Sequence, residues 1–368
     1  MKKKILYIAS LESIHSLKWI NYFTNLGYEI TVISLTQKIN NFEFYNQPHL
    51  YIYNKYKNKY LNTLHLISSI ILKRTIFSSF DIMHVHYIGL NGFIALILKI
   101  NNLVLTAWGD DIKTNRKNIF KNLFLKLILK RSKIITTDSS EMKNLILDFD
   151  KDLLHKLKII NFGIDTNLFS KKKYDYKLEN ELNLENSQDY LKVISLRNHF
   201  QVYDLKTLIF AIKKFTRFNK KIKCYIYGSG PETNYLKKLT TDLDLNYNIR
   251  FMGRYQQEKL PYIFSLFDCY VSTSLSDAGI AASTAEAMSC ELCPISTNNS
   301  ENYLWIQHQK SGFLFENNNV DQLADILRNL KNFDPRKIGK ESRKIILKNN
   351  DYFNEMNKVN TIYRELLK

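Results

Sequence analysis

Short, nearly unbroken apolar runs alternate with segments of helical period along most of this chain. "KILYIAS" opens the pattern, followed by "HSLKWINYFTNLG", where Leu17, Ile20, Tyr22, Phe23 and Leu26 recur at helical spacing before Gly27, and then by the apolar "YEITVISL". Apolar runs without alternation fit strands buried on both faces, and strand–helix–strand order fits a parallel sheet. The order recurs with "DIMHVHY" (strand), "GLNGFIALILKI" (helix), "NLVLTAW" and "KIITTD" (strands) and "SSEMKNLILDF" (helix). Periodicity lapses in "SKKKYDYKLENELNLENSQDY", a polar stretch that reads as a linker or a long surface segment. The same grammar then restarts: "KVISLR", "IKCYIYG", "NIRFMG", "CYVSTS" and "CPIST" predict strands, and "LKTLIFAIKKF", "ETNYLKKLTTDL" and "KLPYIFSLF" predict helices between them.

The pattern predicts two parallel α/β domains in tandem, which also suits 368 residues, since single cores stop growing at about 250–300 residues. Residues 1–172 form the expected first domain and 173–348 the second. The terminal helix, 349–368, is open to packing on either domain, with a return to the first as the expected arrangement. In such sheets ligands sit beyond the carboxyl ends of the strands, so two facing domains would place a cleft between them and make each loop after a strand a candidate site wall.

Charge narrows the list of partners. The net charge of +18 calls for an anionic partner, or else for a broad solvated lysine face. Two stretches concentrate it on helical patterns, "NKYKNKYLNTLHLISSIILKRT" (54–75) and "IKTNRKNIFKNLFLKLILKRSKII" (112–135). Basic amphipathic helices suit an anionic membrane surface; the alternative is core-packing helices with solvated lysines. No recognised nucleic-acid module accompanies them. No apolar run is long enough to span a membrane, and the lysine-led start reads as a first strand rather than a signal peptide. Four cysteines suggest a reducing cytoplasm, and Cys290 and Cys293, though spaced C-x2-C, have no second pair to complete a zinc site.

Candidate chemistry lies at the predicted strand ends. "YIYGSGPE" places Gly228 and Gly230 between a strand and a helix start, where backbone can approach an anionic ligand or simply turn. "SLRNH" sets Arg197 at a strand end, suited to a diphosphate through bidentate hydrogen bonds. "TAWGDDI" ends a strand with Trp108, Gly109, Asp110 and Asp111, dividing into Asp111 as cap and Asp110 as site residue. "NFGIDTNLF" contains Gly163, suited to a positive φ angle, and "HVHY" puts His86 near a strand end, where a structural role is the commoner fate. In "SDAGIAASTAEAMSC" (276–290), Gly279 and a small-residue helix start at Ser283 and Thr284 make an anion cradle, with Asp277 and Glu286 on either side.

In this order and spacing, "SLRN", "YIYGSGPE", "IRFMGR", "FDCYVSTS", "AGIAASTAEAMSC" and "SGFLF", with "TAWGDDI" and "NFGIDTNLF" upstream, resemble a family 4 retaining glycosyltransferase of the group 1, GT-B type. The resemblance implies two Rossmann-like domains facing a cleft, the first for the acceptor and the second for a nucleotide-sugar, a UDP-sugar or similar. By position it implies Arg197 on the donor diphosphate with Ser283 and Thr284, Gly228 and Gly230 bordering the nucleotide pocket, Gly253 and Arg254 near the base, and Glu286 on the ribose. No cofactor and no metal are implied: Arg197 and the helix dipole would stabilise the leaving diphosphate.

Four positions depart from the family pattern. Eight residues before Glu286 the family has an acid, whereas Ala278 stands here with Asp277 one step earlier. The lysine after the arginine gives way to Tyr203, with Lys206 as a substitute nearby; the family histidine gives way to Trp108, with Asp110 the nearby polar group; and "SLESIHS" replaces a glycine-rich first loop, offering His15 and Ser16. These departures resemble a bacterial surface-polysaccharide branch. The expected function is transfer of a hexose-type sugar to a lipid-linked or polysaccharide acceptor of lipopolysaccharide or capsule, with Arg197, Asp110, Asp277 and Glu286 as catalytic candidates and His15, Ser16, His86 and Trp108 facing the acceptor. The expected location is the cytoplasmic face of the inner membrane, with the enzyme peripheral through its basic helices. A nucleotide-sugar 2-epimerase of the same fold and a non-catalytic basic membrane-binding relative are the alternatives.

Overall fold

The computed structural model describes residues 2–37, 42–113, 119–182, 184, 189–277 and 279–368, with backbone alone for Lys59, Asp110, Lys113, Ile119 and Phe120. These residues divide into two compact units, 1–162 with 353–368, and 163–352.

In the first unit the strands are β1 (Lys4–Ile8), β2 (Glu29–Ser34), β3 (His49–Ile52), β4 (Ile82–His86), β5 (Leu103–Ala107), β6 (Ile134–Thr137) and β7 (Leu157–Ile159). All pair in parallel, in the order β3-β2-β1-β4-β5-β6-β7 among the described residues. The second unit repeats the plan with β8 (Leu191–Ser195), β9 (Ile222–Tyr227), β10 (Ile249–Gly253), β11 (Cys269–Ser272), β12 (Cys293–Thr297) and β13 (Phe313–Phe315), ordered β10-β9-β8-β11-β12-β13. The near-continuous apolar runs are the cause: β4, β5, β8, β9, β11 and β12 are buried along their whole length. In each sheet the strand order reverses once, between β1 and β4 and between β8 and β11, and ligands of such sheets bind outside the carboxyl ends at these reversals.

Two expectations about the domain borders change. The polar stretch after residue 170 is part of the second unit. It holds a helix, Tyr176–Glu181, capped by Asp175, whose Glu179 is buried and accepts a 2.7 Å ion pair from Lys192 of β8. The border therefore falls at 162/163 and not at 172/173. There Ile164 pairs with Asp351, and a Cβ on Gly163 (φ +76°) would come within 2.6 Å of the Tyr352 backbone, so glycine is what lets the two segments meet. The C-terminal helix, Tyr352–Leu366, belongs from Phe353 onward to the first unit.

Its anchor is Tyr363, fully buried. The phenol oxygen lies 2.7 Å from the Tyr7 hydroxyl and also hydrogen-bonds His84 Nδ1, while His84 Nε2 meets Thr106 Oγ1 at 2.6 Å. A polar chain thus runs through the sheet interior, each member satisfied by the next. His86, on the same strand, is held in the neutral form down to a pKa of about 3, through burial first and the charge of His15 second. Burial also pushes His84 well below the ordinary imidazole value.

Two outcomes follow from this interior. Tyr363→Phe removes the shared hydroxyl and is expected to destabilise the first unit by about 1–3 kcal/mol, read from the midpoint of urea denaturation. The imidazoles contribute stability that is fully present above their unfolded pKa of 6.5 and lost as pH falls toward about 3. The midpoint at pH 5 is therefore expected below that at pH 7, with a smaller drop in His86→Gln; equal drops would contradict burial of His86 in the neutral form.

Candidate functional site

In the second unit the reversal between β8 and β11 gathers the expected donor-side residues. Arg197 leaves β8 two residues after Ser195 and is buried. Its Nη2 donates to Asp277 Oδ1 at 2.6 Å, and Ser274 Oγ lies 3.1 Å from the same carboxylate oxygen. The guanidinium carbon sits 4.2 Å from the centre of the Tyr203 ring, which stacks on it. The two loops are laced together: Thr273 Oγ1 donates to the Tyr203 carbonyl at 2.9 Å, and the Leu275 amide to the Val202 carbonyl at 2.8 Å. Burial opposes the charge on Arg197, and the Asp277 carboxylate with Tyr270 and Tyr203 turns the net shift of its pKa upward. Arg197 Nε and Asp277 Oδ2 are buried without hydrogen-bond partners.

Gly228 and Gly230 sit after β9, and what approaches them is the chain's own backbone. A Cβ on Gly228 would lie 2.7 Å from the Arg197 carbonyl, and one on Gly230 2.4 Å from the His199 carbonyl. The two glycines therefore set the height of the Arg197 loop. Gly253, at φ +74°, has open space where a Cβ would be, and its carbonyl accepts from the Gly228 amide at 2.8 Å. Arg254 is exposed, with Nε 3.4 Å from Ser229 Oγ.

Beyond β11, Gly279 turns the chain at φ +75° into the helix Ala282–Ser289, whose cap residue Ala281 supplies no side-chain hydrogen bond. Its first turn presents amides next to small side chains, an arrangement suited to an anion. Ser283 Oγ lies 2.8 Å from the Tyr270 hydroxyl, Thr284 is buried, and Glu286 Oε1 accepts from Gln257 Nε2 at 3.0 Å. Cys290 caps this helix and Cys293 opens β12, both buried and free. Ala278, the position of the family's first acid, lies outside the described residues. Lys206 Nζ lies 3.9 Å from Asp204 Oδ1.

The first unit presents a different surface at its own reversal. Ser16, in the first turn of the helix Ile14–Asn25 after β1, has its Oγ 3.0 Å from His86 Nδ1 at the end of β4. Both are buried, and His86 Nε2 has no hydrogen-bond partner. Beside them His15 stacks on Trp108 at 5.6 Å and meets Phe162 in a tilted contact at 5.6 Å, all three partly exposed. Burial and the charge of Lys18 lower the His15 pKa to about 4, so this aromatic ledge is neutral at physiological pH. Asp111 lies within the helix Asp110–Lys113 rather than at its cap; its carboxylate accepts from the amides of Ile88 at 2.9 Å, Gly109 at 3.0 Å and Trp108 at 3.2 Å and so ties the end of β5 to the start of the helix Ile88–Leu98. The side chain of Asp110 lies outside the described residues. Ser16 and His86 are thus the support of the ledge, and His15 and Trp108 its accessible face.

Tyr203, Ser274 and Gln257 have no motif of their own in the sequence. Tyr203 is legible there only as the residue in a lysine's place, and Gln257 reaches Glu286 from a segment 29 residues away.

Known proteins bear on the same geometry. Residues 177–346 match the model of glycosyl transferases group 1, and residues 4–139 that of glycosyl transferase 4-like domains. The chain is 24% identical over 246 residues, 66% of its length, to an uncharacterized glycosyltransferase of Methanocaldococcus jannaschii, of which the match spans 60%. Among solved structures it is similar to a glycosyltransferase from Rickettsia africae, at a TM-score of 0.74 and 19% identity, covering 100% of this chain and 99% of that one. It is also similar to Anabaena HepE in complex with UDP and glucose, at a TM-score of 0.79 and 16% identity, covering 99% of this chain and 100% of that one. The two family models lie in tandem over the two sheets: the second half of the chain carries a group 1 glycosyltransferase domain, the first half matches a glycosyl transferase 4-like domain, and the fold is that of GT-B structures.

Proposed function

We propose that this chain moves a sugar from a nucleotide-sugar, a UDP-sugar, to a lipid-linked or polysaccharide acceptor, with retention of configuration, as a family 4 enzyme of bacterial surface-glycan synthesis. The observation that carries the donor side is Arg197: a buried guanidinium with an unpartnered Nε at the reversal of the second sheet, near an uncapped small-residue helix start. Such a site suits a diphosphate. The similar HepE structure holding UDP and glucose supports the choice of nucleotide.

In this reading Arg197 and the first-turn amides at Ser283 and Thr284 take the charge that develops on the diphosphate as the bond from the sugar's anomeric carbon to the phosphate oxygen breaks. The acceptor hydroxyl forms the new bond on the same face, and its proton goes to the leaving phosphate oxygen. Glu286, oriented by Gln257, contacts the ribose. Gly228 and Gly230 border the nucleotide and Gly253 and Arg254 its base. The ledge of His15 and Trp108, with Asp110 beside it, receives the acceptor. Neither a cofactor nor a metal takes part.

The acceptor's class is argued from the surface of the first unit. The helix Lys59–Leu72 turns Leu61, Leu64, Ile71 and Leu72 outward, with Lys73 and Arg74 at its end, and the helix Ile119–Arg131 exposes Leu123 and Leu127 among Lys121, Lys126 and Lys130. Apolar side chains ringed by lysines suit the headgroup region of an anionic membrane, and none of the described helices is long and apolar enough to cross one. The enzyme then works at the cytoplasmic face, where a lipid-linked acceptor is presented.

A panel of nucleotide-sugars scored by nucleotide release, with and without a lipid-linked acceptor, tests the reaction. Acceptor-dependent release from one donor is expected; epimerised donor without transfer would overturn it in favour of the epimerase. Arg197→Lys, which keeps a charge opposite Asp277 but loses the fork, and Glu286→Gln are each expected to lower turnover at least tenfold, about 1.4 kcal/mol of barrier, with unchanged melting. Near-wild-type turnover in both would remove the site assignment. Sedimentation with vesicles containing phosphatidylglycerol is expected to show binding that weakens with salt and falls at least tenfold in the double variant Leu64→Asp, Leu72→Asp.

A further inference from the structure

The buried ion pair of Arg197 and Asp277 has a shape that a purely structural pair does not need. It rests on one nitrogen and one oxygen, 2.6 Å apart. Arg197 Nε and Asp277 Oδ2 remain buried and unpartnered, although a structural pair of this kind is stabilising only when its remaining donors and acceptors are satisfied. The two partners are also held unequally. Arg197 lies directly beyond β8, under the Tyr203 ring and against the Gly228 turn, whereas Asp277 sits in the segment between β11 and the helix Ala282–Ser289 and is fixed through Ser274 Oγ. One carboxylate oxygen of Asp277 is therefore taken up by the guanidinium.

We propose that Asp277 is an internal counter-anion, standing on Arg197 in place of the donor's diphosphate while the site is empty and competing with it when donor or product is bound. This rests on the reading of Arg197 as the diphosphate ligand. The physical need is clear: a buried guanidinium without an anion is strongly destabilising, and the donor is not always present. Once a diphosphate arrives, a carboxylate and at least one phosphate charge share one buried cation, and like charges at such distances repel strongly in a low dielectric. The diphosphate displaces Asp277 from Nη2, and Asp277 returns as the nucleoside diphosphate leaves. Asp277 thus lowers nucleotide affinity and speeds product release.

The test is calorimetric titration of UDP, GDP and inorganic pyrophosphate into the full-length wild type, Asp277→Asn, Asp277→Ala and Ser274→Ala. Both Asp277 variants are expected to bind the preferred diphosphate about tenfold more tightly, and Ser274→Ala, which loosens Asp277 without removing it, by a smaller factor. Donor KM is expected to fall in step, with no rise in kcat. Without ligand the Asp277 variants melt below wild type, and pyrophosphate closes the gap. Should those two variants not fold, unchanged or weaker binding by Ser274→Ala overturns the proposal on its own. A wild type that binds a nucleoside diphosphate, with variants that bind it equally or more weakly, overturns the counter-anion role and leaves the glycosyl-transfer reading standing. Absence of binding by the wild type and every variant overturns both.

Discussion

Burial of parallel strands on both faces is the constraint on which the rest depends. A strand covered by helices on each side has no solvent face for polar side chains, so its middle must be apolar or internally paired. The exceptions obey the rule: Lys192 of β8 finds Glu179, and His84 of β4 is bonded at both ring nitrogens, to Tyr363 and to Thr106. Polar chemistry is thereby confined to the strand ends, and the reversal of strand order is where two such ends diverge enough to leave room for a ligand. Arg197 and Asp277 stand at one reversal, and Ser16 and His86 at the other.

The two reversals use opposite electrostatics. In the second unit a full positive charge is buried and compensated by a carboxylate from the neighbouring loop. In the first unit buried imidazoles are neutral and sit among Tyr7, Trp19 and Trp108. A charged pocket suits an anionic donor, and a neutral aromatic ledge suits a polyhydroxylated ring with apolar faces. The proposed division of labour between donor and acceptor follows from this difference as much as from the family pattern.

Much of this was legible because it is written in local pattern. The strands follow from apolar runs, and Arg197, Gly228, Gly230 and Glu286 were visible as residue types at strand ends in a recognisable order. What escaped depends on contacts distant in sequence. Asp277 read as an acid one step out of the family's register, and its carboxylate meets a guanidinium 80 residues away. The glycines of "YIYGSGPE" read as making room for a ligand or simply turning the chain, and the backbone they admit is that of Arg197 and His199. The polar stretch after residue 170 carries a buried ion pair, Glu179 with Lys192, which no hydrophobic pattern announces.

The amino-acid sequence by itself determined the class of fold, the positions of most strands and the presence of glycosyltransferase domains, because apolar periodicity and motif order are properties of neighbours along the chain. Only the tertiary structure decided which unit owns the C-terminal helix, where the border between units falls, and what Asp277 touches. Those outcomes turn on a buried phenol reaching two partners, on a glycine lying against Tyr352, and on two loops brought side by side by strand order. Each is a pairing between segments far apart in the chain, and a buried polar group takes its partner from whatever the fold places within hydrogen-bond reach.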